Sequence, residues 1–289
     1  MTLALDIKKL NKKYSDFTLK DISLQLPSGF IMGLIGPNGA GKTTLIKLIL
    51  NMTRRQSGVI KVFGRDNIIH DKEIKSRIGF VHEEPHYPGY LKVKEIGSVF
   101  SRFYSNWNKN RFFNLCREFT VPENKRINAL SRGTKMKLSL ALALSHDADF
   151  LLMDEPTTGL DPVFRRELLK RFSRIIQDEK KAVLFSTHIT SDLERTADYI
   201  TYIHQGEILF SITKDQLFEE WALVKGGNEI LNPETQKLFK GLRKSSYGFK
   251  ALTSDKEKVR TNLSGQNYVM EKPSLDDIMF LLSKGEINA

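Results

Sequence analysis

Apolar and polar positions alternate through most of the first 35 residues, the two-residue period of half-buried strands, with turn signals at Ser15-Asp16 and Pro27-Ser28-Gly29. At Phe30 the alternation gives way to an unbroken apolar run, Phe30-Ile-Met-Gly-Leu-Ile35, which predicts a buried strand. Beyond Gly36-Pro-Asn-Gly-Ala-Gly-Lys-Thr-Thr44 the spacing over Leu45–Leu50 predicts a helix. Residues 92–145 read as mostly helical, and Phe150-Leu-Leu-Met153 as a second apolar strand. Asp161 is placed as an N-cap with Pro162 at the first helical position. The helix that follows carries Phe164, Leu168, Leu169, Phe172, Ile175 and Ile176 on one face. A strand at Ala182–Phe185, another helix and a strand at Tyr199–Ile203 complete the run. Strands that alternate with helices predict an α/β fold with a mainly parallel sheet. The expected organisation is a domain over 1–210, with its helical part near 92–145, and a small α+β appendage over 211–289. The appendage closes in a helix beginning Ser274-Leu-Asp-Asp277, a serine cap with an acid three residues on.

The composition is compatible with that plan. The chain has 289 residues, 40% hydrophobic and 27% charged, enough for one large domain and a small one and unlike a disordered or fibrous chain. Leu138–Leu144 and Phe150–Met153, its longest apolar approaches, fall far short of the about 18–20 residues a membrane span needs. Charges scattered through residues 1–13 leave no signal-peptide core, so a cytoplasmic chain is expected. The single cysteine, Cys116, forbids an intrachain disulfide and a Cys-rich zinc site and reads as a packing residue. A net charge of +11 fits a partner that carries phosphates, but does not choose among a nucleotide, a nucleic acid and an anionic membrane surface.

The chemistry comes from four short motifs. Gly36-x-x-x-x-Gly41-Lys42-Thr43 is a phosphate-binding loop set between a predicted strand and a predicted helix. The backbone through Gly36, Pro37, Asn38, Gly39, Ala40 and Gly41 wraps an anion, and the amides of residues 39–44, Thr44 included, point at the β-phosphate from the positive end of a helix. Lys42 is expected to bridge the β- and γ-phosphates and the Thr43 hydroxyl to ligate Mg²⁺. In the acid pair after the second apolar strand, Asp154 is expected to hold Mg²⁺ through water and Glu155 to take the proton of an attacking water. His188, in Ser186-Thr187-His188 at a strand end, becomes a γ-phosphate sensor beside those two motifs. Leu130-Ser131-Arg132-Gly133-Thr134 is by itself a serine-capped helix start.

Taken together and in this order, the motifs resemble the ATP-binding subunits of ABC transporters over about residues 3–215. The resemblance implies a P-loop NTPase cassette with ATP and Mg²⁺. By it, Tyr14 stacks on adenine, and Ser131 and Gly133 contact the γ-phosphate held by a second ATPase chain, identical or paralogous. Asp161 sits at the seam between the two chains, and residues near 83–100 face an integral membrane permease subunit. The expected location becomes the cytoplasmic face of the membrane, with no nucleic acid as partner. Two motifs depart from the family pattern. Glu83, in His82-Glu83-Glu84-Pro85, replaces the usual loop glutamine; it can still ligate Mg²⁺, but its charge repels a γ-phosphate when metal is absent. Arg132 and Thr134 replace a glycine and a glutamine of the usual signature. With these features the chain is similar to a bacterial ABC-2-like exporter group, and within it to ATPases of Gram-positive peptide exporters such as the phenol-soluble modulin exporter. The rival reading, a soluble ABC-type ATPase of ribosomes or nucleic acid, is disfavoured by the single cassette and the absence of a heptad run.

Overall fold

The computed structural model describes residues 2–284; Met1 and the last five residues of the expected appendage lie outside the described residues. The chain divides at Ser211 into two compact units. The first contains, in order, β1 (Leu3–Lys13), β2 (Thr18–Pro27), β3 (Ile31–Ile35), α1 (Lys42–Ile49), β4 (Ser57–Val62), β5 (Arg65–Asp66), α2 (Asp71–Ser76), β6 (Ile78–Val81), α3 (Val93–Phe100), α4 (Lys109–Glu118), α5 (Arg132–Ala143), β7 (Phe150–Asp154), α6 (Pro162–Ile175), β8 (Ala182–Thr187), α7 (Thr190–Thr196), β9 (Tyr199–His204) and β10 (Glu207–Thr213), whose last residues pass into the second unit.

Two sheets build this unit. The larger has the order β10-β9-β3-β8-β7-β6, with β9, β3, β8, β7 and β6 parallel. The alternating first 35 residues do not join it. Instead β1 and β2, linked by a short turn, pair antiparallel and enter a separate sheet of order β2-β1-β4-β5. A short turn can only return the chain antiparallel, and alternation suits strands with one wet face. The mainly parallel sheet read from the sequence therefore has an antiparallel companion. Leu45, Ile46 and Ile49 of α1 share one buried core with Leu5, Ile7 and Ile60 of the antiparallel sheet and Leu34, Leu152 and Leu184 of the parallel one. Fully burying each such aliphatic side chain is worth about 1.5–3 kcal/mol. The helix after the phosphate loop starts at Lys42, three residues before its apolar face begins. The stretch read as mostly helical resolves into α3, α4, a 3₁₀ turn at Ile127–Ala129 and α5.

The second unit runs α8 (Lys214–Glu220), β11 (Ala222–Gly226), α9 (Pro233–Gln236), β12 (Gly241–Ser245), β13 (Gly248–Thr253), α10 (Lys256–Asn262), β14 (Tyr268–Glu271) and α11 (Leu275–Lys284). Its antiparallel sheet has the order β12-β13-β11-β14, the split βαβ arrangement. Leu242, Ala251 and Val224 lie in register across three strands and pack with Phe239, Val259 and Leu263. Ser274 caps α11: its Oγ accepts from the Asp277 amide at 3.1 Å, and Asp277 Oδ2 accepts from the Ser274 amide at 3.3 Å.

Candidate active site

In a parallel sheet the carboxyl ends of the strands open onto one crevice. Here β3 delivers the phosphate loop, β7 the acid pair and β8 Ser186 and Thr187 at the same edge. The register sets Asp154 beside Ser186 and Ile35 beside Thr187. The loop enters α1 through Gly41 at φ +111°, a conformation open to glycine, where an added Cβ would stand 2.7 Å from a Leu19 methyl. Lys42 is buried, and its Nζ donates to the carbonyls of Gly36 (2.8 Å) and Pro37 (3.3 Å). Burial pushes its pKa down, against the opposing pull of Glu155, Asp154 and Glu83.

Asp154 ends β7 and is itself buried. Its Oδ2 accepts from Thr43 Oγ1 at 2.7 Å and its Oδ1 from Ser186 Oγ at 2.5 Å. The same Ser186 oxygen accepts from the Glu155 amide at 2.9 Å. Ser186 thus joins the two acids, a role the sequence reading did not assign. Glu155 turns sharply off the strand at φ +49°, a left-handed conformation that costs a non-glycine residue about 1 kcal/mol or more. Its Oε2 accepts from His188 Nδ1 at 2.8 Å and Thr158 Oγ1 at 3.3 Å, and its Oε1 lies 3.8 Å from Lys42 Nζ. A carboxylate can only accept, so the bond fixes the proton of His188 on Nδ1.

These groups face a cavity of about 750 Å³. Of the residues singled out from the sequence, Tyr14, Asn38, Gly39, Ala40, Gly41, Lys42, Thr43, Thr44, Glu83, Glu155 and His188 line it. Gly36 and Pro37 stand behind it and hold Lys42, and Asp154 reaches it through Thr43. Asp16 and Phe17 line it beside Tyr14 without having been foreseen. Ser131, Gly133 and Asp161 are not among its lining residues and gather elsewhere. Ser131 caps α5, accepting from the Thr134 amide at 3.2 Å. Gly133 passes so close to Gly159 that a Cβ would fall 2.8 Å from its carbonyl oxygen. Asp161 caps α6 through the Phe164 amide at 2.9 Å, with Lys137 Nζ 3.4 Å away; that amide bond and then Lys137 hold its carboxyl below the usual carboxylate range.

Among the described residues no group of three or more His, Cys, Asp or Glu side chains could hold a metal by itself. The Thr43 hydroxyl and the Asp154 carboxylate form an oxygen pair of the kind Mg²⁺ takes together with substrate phosphates.

A family model described as ABC transporter matches residues 19–158. The ABC transporter ATP-binding protein NatA of Bacillus subtilis is 34% identical over 215 residues, spanning 72% of this chain and 87% of that protein. The chain belongs to the ABC transporter family. As an ABC ATP-binding subunit it is an ATPase. The Nod factor export ATP-binding protein I of Rhizobium sp. is 30% identical over 304 residues and extends across the appendage, covering 99% of this chain and 98% of its own. A solved structure of the ATP-binding subunit of an ABC transporter superposes with a TM-score of 0.69 at 27% identity, over 75% of this ABC subunit and 92% of that chain. Among the described residues no helix is long and apolar enough to cross a membrane.

Proposed function

We propose that this chain is the ATP-driven motor subunit of an exporter whose membrane permease is a separate polypeptide, working from the cytoplasmic face. The observation that carries the reading is the single constellation of Lys42, Thr43, Asp154, Glu155 and His188 around one cavity. Tyr14 stacks on adenine, and the amides of residues 39–44 and Lys42 hold the β- and γ-phosphates. Thr43, Asp154 and Glu83 would hold Mg²⁺, which neutralises charge on the phosphates when bound. Glu155 takes the proton as a water oxygen bonds to the γ-phosphorus and the bond to the β-bridging oxygen breaks, leaving ADP and phosphate. His188 orients Glu155 and senses the γ-phosphate.

The cavity's lining leaves out Ser131, Gly133 and Asp161, which favours a site completed by a second chain. Two ATP molecules are then sandwiched between two subunits, each closing on the Ser131 segment of the other. ATP favours the closed pair through contacts that only the closed pair makes. Residues 211–289 supply a further dimer contact that keeps the chains together through the cycle. The exposed aromatic side chain of Tyr90 (73% exposed) suits the segment near 83–100 to a permease helix. Export follows the Nod factor relative, and a peptide or amphipathic cargo follows the peptide-exporter resemblance. The test is capture of tagged Glu155→Gln protein with ATP and Mg²⁺ from detergent-solubilised native cells. A co-purifying multi-spanning protein is expected. Ribosomal proteins or nucleic acid without a membrane partner would overturn the reading.

A further inference from the structure

Two of the residues that set this sequence apart from its family meet each other. Glu83 follows β6 and lines the nucleotide cavity; Arg132 opens α5, 49 residues on, next to Ser131. Their side chains approach within the same chain, Arg132 Nη2 standing 3.5 Å from Glu83 Oε1. The approach is set by packing rather than by charge alone. The first turn of α5 is pinned where Gly133 meets the Gly159 carbonyl, and the Arg132 stem runs along Gly159, its Cδ 4.0 Å from where a Cβ there would stand. Lys137, one turn further, holds Asp161 at 3.4 Å and lies 4.3 Å from the Phe164 ring centroid. The α5 start therefore has little freedom to carry Arg132 elsewhere.

The electrostatics give this meeting a consequence. Asp154, Glu155 and Glu83 all act on Lys42, the cation that the polyphosphate meets inside the cavity. A polyphosphate entering without metal meets those acids as well. Arg132 does not line the cavity, yet it is the cation paired with Glu83, the acid that lies outside the Thr43–Asp154–Ser186 network.

We propose that Arg132 is a positioning residue for the chain's own nucleotide site: it screens Glu83 until a divalent cation takes that carboxylate over, so that ATP can enter before metal. The proposal rests on the reading of this cavity as the ATP site and on Glu83 as a Mg²⁺ ligand. It differs from a role of Arg132 across the dimer, because its whole effect passes through Glu83. An exposed pair is screened by salt, so the effect is modest and largest at low ionic strength.

The experiment is a double-mutant cycle on ATP binding, with Arg132→Ala, Glu83→Gln and the double variant, at concentrations where the chain is monomeric. Affinity for a fluorescent ATP analogue is measured in EDTA and in Mg²⁺. In EDTA at low ionic strength, Arg132→Ala should weaken binding about two- to fivefold. In Mg²⁺ the loss should be under about twofold, because the metal then engages Glu83. In the Glu83→Gln background Arg132→Ala should change nothing in either buffer. Equal losses with and without Mg²⁺, or an undiminished loss in the Glu83→Gln background, would overturn the proposal, as would no loss in EDTA. Failure of the unaltered protein to bind the analogue under any condition would instead defeat the assignment of the cavity, which separates the two failures.

Discussion

Replacing Ser186 by alanine removes one oxygen that joins both acids of the active site. The Ser186 side chain is fully buried; it donates to Asp154 at 2.5 Å and accepts from the Glu155 amide at 2.9 Å. Ser186→Ala leaves a buried carboxylate oxygen without that donor and a buried N–H without its acceptor. Each unmet group costs about 1–3 kcal/mol, so the variant should lose about 2–6 kcal/mol, a large share of the about 5–15 kcal/mol typical of a folded domain. Activity should fall too, because the Glu155 amide bond holds that residue in its left-handed turn, with its carboxylate against His188. A base displaced by even a fraction of an ångström costs roughly tenfold or more in rate. Denaturant unfolding gives the first quantity and steady-state ATP turnover the second. A Ser186→Ala protein within about 0.5 kcal/mol of the parent that turns ATP over at the parent rate would refute the bridging role.

Three further outcomes are expected. Lys42→Ala should weaken ATP affinity about 30- to 100-fold by removing the buried cation, measured by nucleotide titration; an unchanged affinity would remove Lys42 from the phosphate site. Gly133→Ala should cost about 1–3 kcal/mol of stability, because its methyl meets the Gly159 carbonyl at 2.8 Å and backbone must shift; a neutral result in a melt would show that the α5 start is loosely held. His146 is buried against Tyr104, with Nε2 3.1 Å from the Ile78 carbonyl, and burial pushes its pKa below the ordinary value. The unfolded chain therefore binds the proton more readily, so this contribution to stability is present above about pH 6.5 and is lost as pH falls below it, by up to about 1.4 kcal/mol per pH unit. Urea unfolding at several pH values should show that slope flattened in His146→Phe, and an identical slope would exclude His146 as its source.

The local chemistry of the site is written in short stretches of sequence, and that part was legible. A glycine-rich turn between an apolar strand and a helix, an acid pair after a second apolar strand and a histidine after a third each mark a strand's end, and parallel pairing brings those ends to one edge. Contacts that depend on register across strands left no such trace. Ser186 looks like any serine at a strand end until Asp154 is set beside it, 32 residues away. The antiparallel sheet was missed because β4 finds β1 from more than forty residues along, and a six-residue strand with one buried face carries little pattern of its own. Asp16 lies in the Ser15-Asp16 turn and Phe17 follows it, and only the fold of β1 and β2 brings them to the cavity. Glu83 and Arg132 were each visible as departures, but their meeting requires α5 to be packed on Gly159.

The central claim is that two such chains close on ATP and that Glu155 opens them again by hydrolysis. Light scattering on Glu155→Gln protein after gel filtration, with and without ATP and Mg²⁺, tests it most directly. The account predicts a stable particle of twice the 33.1 kDa chain with nucleotide, together with the loss of ATP turnover. A mass that nucleotide does not change, or hydrolysis at the parent rate, would contradict it.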